Sequence, residues 1–253
     1  MGGGLEGDPI DDPETIISGL VEAQHKLLSG FGGNTRAIKE RYQESFRPTN
    51  FAISLVGESI LYPRLPEFIR LLRQRGASSY LVTKGTYPEG LKKLLENDAQ
   101  PTNLYISLCA PDSETFMKLE RPVITNAWER QLESLKIARD FTCRKVIRLT
   151  SVKGRNMHSP GKYAELIRME LPEYIEVKAY SHVGESQARL PQEAQPTWDE
   201  MKQWAHSIAK AAGYTYTDEF EHSKVILLCR DRQLVDGVLE NIARSEYPNV
   251  VSC

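Results

Sequence analysis

Short β-branched or aromatic runs alternate along this chain with longer stretches of helical period. Residues 51–56 (FAISLV) predict a buried strand, and 63–75 a helix with Leu65, Phe68, Ile69 and Leu72 on one face. Gly76 stops that helix, as glycine commonly does just past a helix end. Residues 79–83 (SYLVT) predict a strand and 88–96 a short helix opened by proline. The alternation continues with strand 103–108, helix 125–140, strand 145–152, helix 161–169 and strand 174–180 (YIEVKAY). Five strands, each but the last followed by a helix, predict a parallel sheet built by β-α-β crossovers. A leading helix, 13–28, precedes the first strand. In such an alternation it suggests that the chain begins one strand late.

The tail changes character. A polar loop at 187–196 leads to a helix at 197–212, with Thr197 as N-cap, Glu200 as its capping-box partner and Gly213 as its stop. Runs 214–217 and 224–228 predict two further strands, with antiparallel pairing open to them, and 233–244 a last helix. The expected division is 1–180 and 181–253.

Composition narrows the class. The 253 residues are 40% hydrophobic and 26% charged, ordinary for a globular protein. No run approaches a membrane span, and the opening Met-Gly-Gly-Gly-Leu-Glu-Gly-Asp lacks a signal-peptide pattern, so a cytoplasmic protein is expected. The formal charge of −2 means that any RNA contact must come from a local patch. Arg144, Lys145, Arg148, Lys153, Arg155 and Lys162, within nineteen residues, are one candidate, or simply a solvated strand end and loop. The four cysteines, Cys109, Cys143, Cys229 and Cys253, lie at least 24 residues apart and form no cluster-binding or zinc-binding spacing.

In a parallel α/β sheet the active site gathers at the carboxyl ends of the strands. Those ends carry Gly57-Glu58-Ser59, Thr83-Lys84-Gly85, Ser107-Leu108-Cys109 and Lys153-Gly154-Arg155-Asn156, then Lys178, Tyr180 and His182. Glu176 and Lys178, two apart in a strand, share one face. They are either a structural ion pair or part of a site.

LLSGFGGN at 27–34, SLVGE at 54–58, LYPRL at 61–65, YLVTKG at 80–85, LYISL at 104–108 and RPV at 121–123 run in order along the chain. RLTSVKGRN at 148–156, YAELI at 163–167, IEVKAY at 175–180, VGES at 183–186 and EHSKVILL at 221–228 follow. Together they resemble the 4-demethylwyosine synthases of tRNA wybutosine biosynthesis. The resemblance implies a partial (β/α)6 radical S-adenosylmethionine barrel missing its first strand, with an α+β wybutosine-forming extension. It implies a [4Fe–4S] cluster and a 5′-deoxyadenosyl radical acting on N1-methylguanosine beside the anticodon of tRNA-Phe. Pyruvate would supply two carbons and formate would leave, a carbon–carbon lyase reaction.

Carried over by that resemblance, Gly57 and Glu58 match the motif that holds the amino group of S-adenosylmethionine, and Thr83 and Ser107 match polar strand ends facing it. Lys153, Asn156, Glu176 and Lys178 match the later strand ends that line the cavity. The resemblance also favours the stretch containing Arg144, Lys145, Arg155 and Lys162 for tRNA. Three positions depart: Ser59 stands where the family has proline, Lys84 where it has asparagine and Cys109 where it has aspartate. The family's three-cysteine loop belongs before residue 11, so the chain alone is expected to be inactive. The alternative is a degenerate relative that binds tRNA or S-adenosylmethionine without radical chemistry. A third reading is a cofactor-free lyase using Lys153 or Lys178 as a Schiff-base amine.

Overall fold

The computed structural model describes residues 10–54 and 57–244, with side chains as far as 240. The opening segment, Leu55 and Val56 of the first expected strand, and Cys253 lie outside the described residues.

Helix α1 (Pro13–Leu28) starts on the Asp12 side chain, which accepts from the backbone of Glu14 and Thr15. A short α2 (Lys39–Glu44) leads to β1 (Asn50–Ile53). Helix α3 (Leu65–Gln74) buries Leu65, Phe68, Ile69 and Leu72, the face its 3.6 period marks. It ends as Gly76 expected. With φ at +68°, Gly76 lets its own N–H reach Arg73 O and the Ala77 N–H reach Leu72 O. Then follow β2 (Ser78–Thr83), α4 (Pro88–Glu96), β3 (Asn103–Ser107), α5 (Ser113–Glu120) and α6 (Ala127–Ala138). Strand β4 (Arg144–Ser151), α7 (Pro160–Glu170) and β5 (Tyr174–Ala179) complete the parallel part. The tail gives α8 (Trp198–Ala212) with the expected Thr197–Glu200 capping box, β6 (Thr215–Phe220), β7 (Val225–Cys229) and α9 (Arg232–Arg244).

Two helices have no counterpart in the hydrophobic pattern, α2 and α5. Helix α5 buries only Phe116, too little for a periodic signal. Its signal lies in its cap, where Asp112 accepts from the Thr115 N–H at 3.0 Å.

The strands form one sheet in the order β1-β2-β3-β4-β5-β7-β6, parallel from β1 to β5 and antiparallel at β5–β7 and β7–β6. Leu81, Leu104, Ile106, Ile147, Ile175 and Val177 point to one face and are fully buried with side chains of α3, α4, α6, α7 and α8. That apolar layer is continuous into Met201, Ile208, Ile226 and Leu228 of the tail. The other face carries the alternate residues. In register, Ser107, Arg148, Glu176 and Leu227 form one cross-strand row, and Thr150, Lys178, Val225 and Phe220 the next.

Candidate functional site

A cavity of about 610 Å³ opens at the carboxyl ends of β2 to β5. Lys84, Cys109, Thr150, Val152 and Tyr180 line it from the sheet. Helix α5 forms one wall, the β4–α7 loop brings Arg155 and His158, and the turn after β5 brings Ser186, Arg189 and Leu190. This is the end of the sheet at which strand directions place a site.

Two of the three departures noted in the sequence, Lys84 and Cys109, acquire a partner here. Lys84 Nζ lies 2.5 Å from Glu120 Oε2, at the last residue of α5. Burial opposes the Lys84 charge, but Glu120, with Cys109 and Glu58 adding to it, outweighs that and raises its pKa. The Cys109 thiol is pushed up to about 12, first by burial and then by Glu120, to which it hydrogen-bonds, so it stays protonated. Ser59 opens a short 3-10 turn, Ser59–Leu61.

Glu58 follows Gly57, whose φ of +75° suits glycine. One Glu58 oxygen accepts from the Lys84 backbone N–H at 2.9 Å. The other, Oε1, is buried with no hydrogen-bond partner. A buried carboxylate oxygen left open in this way is a ready acceptor for an ammonium group.

Other expected residues divide. Ser107, Glu176 and Lys178 lie on the open face of the sheet. Glu176 does not pair with Lys178. It takes Arg148 instead, with Nε–Oε1 at 2.8 Å and the second pair of atoms at 3.2 Å. Arg148 also sits 5.0 Å from the Tyr105 ring centroid. Lys178 is half-buried and pairs with no acid among the described residues.

Thr83 points the other way, buried in the helix-facing layer, where its hydroxyl accepts from the Gly85 N–H. The period-2 rule that places Ser107 outward turns Thr83 inward. Asn156 is 2% exposed and fully engaged with backbone, donating to Cys109 O and Thr150 O and accepting from the Val152 N–H. It ties the ends of β3 and β4 together and leaves no atom for a ligand. Lys153 is drawn out of the cavity by Glu200, 2.5 Å away at the start of α8.

The basic stretch is not one patch. Arg144 and Lys145 sit at the opening of β4, about 20 Å along the strand from the cavity end where Arg155 and Lys162 emerge. Lys145 is 7% exposed, and Lys162 is held by Asp112 at 2.7 Å. Among residues given no site role from sequence, Glu120, Arg121 and Arg189 line the cavity. All three stand on short turns or a short helix with no apolar period.

Residues 169–230 match the wyosine base formation family. A 4-demethylwyosine synthase of Pyrococcus horikoshii is 43% identical over 224 residues, 88% of this chain and 66% of the relative. Those of Schizosaccharomyces pombe and Homo sapiens are 34% and 33% identical over 90% of this chain. A solved structure of TYW1 with a lysine–pyruvate adduct bound is 30% identical, superposes at a TM-score of 0.76, and is covered over 71% of its length. The chain belongs to the 4-demethylwyosine synthase (TYW1) family. An archaeal TYW1 crystal structure superposes at 0.74 with 26% identity, covering 91% of this chain and 75% of that one. The chain spans about two thirds of the length of the archaeal synthase and about a third of the yeast and human ones.

Glu120 brings a carboxylate from α5 to Lys84 and Cys109, so that corner holds one cation, one carboxylate and a neutral thiol. Among the described residues, no group of three His, Cys, Asp or Glu could hold a metal.

Proposed function

We propose that this chain supplies the S-adenosylmethionine-facing and substrate-facing part of a 4-demethylwyosine synthase acting in wybutosine biosynthesis in the cytoplasm. In this reading residues 1–180 are a partial (β/α)6 radical S-adenosylmethionine barrel and 181–253 its wybutosine-forming extension. The substrate is N1-methylguanosine of tRNA-Phe. Pyruvate is the co-substrate, a choice supported by the lysine–pyruvate adduct carried by one solved relative. The reaction class is carbon–carbon lyase.

The observation that carries the reading is the unpartnered, buried Oε1 of Glu58, beside the Lys84 backbone at the end of β2. An ammonium donor there is what that oxygen lacks, and the amino group of S-adenosylmethionine is such a donor. When bound and given one electron by a reductant that the described residues do not hold, S-adenosylmethionine would supply the radical chemistry. Glu58 holds its amino group, and Gly57 gives the turn that presents the carboxylate. Lys178, the unpaired amine on the open face, binds the carboxylate of the co-substrate or a substrate phosphate. Glu176, clamped by Arg148, keeps that face rigid, and Lys153 positions α8 through Glu200. The described residues do not fit a [4Fe–4S] cluster.

Calorimetric titration of the full chain with S-adenosylmethionine tests this. Losing a charge-assisted hydrogen bond predicts about 10- to 100-fold weaker binding for Glu58→Gln. Equal affinity of wild type and variant would refute the Glu58 assignment.

A further inference from the structure

The cavity mouth is electropositive, although the chain as a whole carries −2. Each acid lining it is matched by a lysine: Asp112 by Lys162, Glu114 by Lys118 and Glu120 by Lys84. Three arginines of the lining, Arg121, Arg155 and Arg189, have no acidic partner among the described residues and are exposed. They come from three separate segments: the end of α5, the β4–α7 loop and the turn after β5. Three uncompensated guanidinium groups around one opening make a ring suited to phosphate oxygens rather than to a single small anion.

A second feature lies on the same face of the sheet. The row that starts at Thr150 in the cavity wall runs through Lys178 and Val225 to Phe220. Three strand spacings put Phe220 about 14 Å from Thr150. Phe220 is 56% exposed, with His222 edge-on to it at 5.6 Å. The turn that carries His222 is held against the end of β5 by the Ala179 N–H to Lys224 O bond. An aromatic ring left open to solvent beside a cationic mouth offers a face to a nucleobase.

We propose that Arg121, Arg155 and Arg189 bind consecutive phosphates of a single-stranded RNA loop at the cavity mouth, while Phe220 stacks on a base next to the one that enters. The surface therefore takes splayed, single-stranded nucleotides, and a duplex, whose bases are already stacked, satisfies only its phosphate half. The inference rests on tRNA being the substrate; it keeps Arg155 of the expected patch and leaves out Arg144 and Lys145, which stand at the far end of β4.

Fluorescence anisotropy of the full chain with a labelled RNA hairpin, against a blunt duplex of the same length, tests it over a range of salt. The triple variant R121A/R155A/R189A is expected to bind the hairpin at least about tenfold more weakly, and its log–log salt slope to flatten by about 2. F220A is expected to lose roughly fivefold or more for the hairpin with an unchanged salt slope, and little for the duplex. A control variant, K136A/R139A/R168A, removes the same charge on the outer helices and is expected to bind like wild type. If wild type binds no RNA, the synthase reading falls with this one. If wild type binds but the mouth triple matches it, or the control triple weakens binding equally, only this inference is overturned. Circular dichroism of each variant separates lost binding from lost fold.

Discussion

At the residue scale, the departures at 84 and 109 become intelligible once Glu120 is seen beside them. Where the resemblance implies an amide and an acid, a lysine and a neutral thiol alone would leave a net positive corner, yet a carboxylate comes from 36 residues beyond Lys84 along the chain. Glu120→Gln breaks that arrangement. Lys84 loses its partner, and the charge that helps hold the Cys109 thiol at about 12 disappears. Burial remains the larger cause, so the thiol pKa falls only part of the way toward its ordinary value. Alkylation of Cys109 at pH 9, followed by peptide mass spectrometry, is expected to be slow in wild type and several-fold faster in the variant. Rapid alkylation of the wild-type thiol would show that it is not held as described. The strand-end positions of Lys84, Cys109 and Glu58 were legible in the sequence. The role of Glu120 was not, because a long-range ion pair leaves no mark on local spacing.

At the element scale, helix α7 and strand β4 hide a carboxyl group at the end opposite the cavity. Glu170, the last residue of α7, is fully buried and neither carboxyl oxygen has a hydrogen-bond partner. Burial pushes its pKa up to about 8, against a favourable but smaller effect of Lys145. An unfolded glutamate titrates near 4.5. The folded state therefore holds the proton more tightly, and the associated stability is fully present below pH 4.5 and lost as pH rises through about 8. Glu170→Gln removes this dependence. Thermal unfolding is expected to show the variant more stable than wild type at pH 8.5, by about 1–3 kcal/mol, and the gap to shrink toward pH 5. A gap independent of pH would argue against a buried titrating carboxyl. Most elements were readable from period and caps, with ends shifted by up to three residues. Helices α2 and α5 were not, since each buries almost nothing, and it is α5 that closes one side of the cavity.

At the scale of the whole molecule, the sheet disperses the cysteines. Cys109 lies at the cavity, Cys143 precedes the opening residue of β4, and Cys229 pairs with Tyr174 at the opening of β5. Two of the three described thiols thus stand at the opposite end from the first, about 20 Å away along the strands. Anaerobic incubation of this chain with iron and sulfide is expected to give no broad visible absorption of a [4Fe–4S] centre. About four irons bound per chain with that spectrum would mean that the thiols converge after all.

The order of strands and helices, the parallel β-α core, the capping box of α8 and the kinds of group at the strand ends were all determined by the sequence itself. Hydrophobic period and capping chemistry act over a few residues, within reach of local pattern. Which side chains meet was decided only by the tertiary structure. Thr83 turned inward, Glu176 took Arg148 rather than Lys178, Lys153 was drawn away by Glu200, and the basic stretch was divided between the two ends of β4. Each of these follows from sheet register and from contacts between segments distant in sequence. Register and long-range packing come from burying one apolar layer for the whole chain at once, and no single stretch of it encodes them.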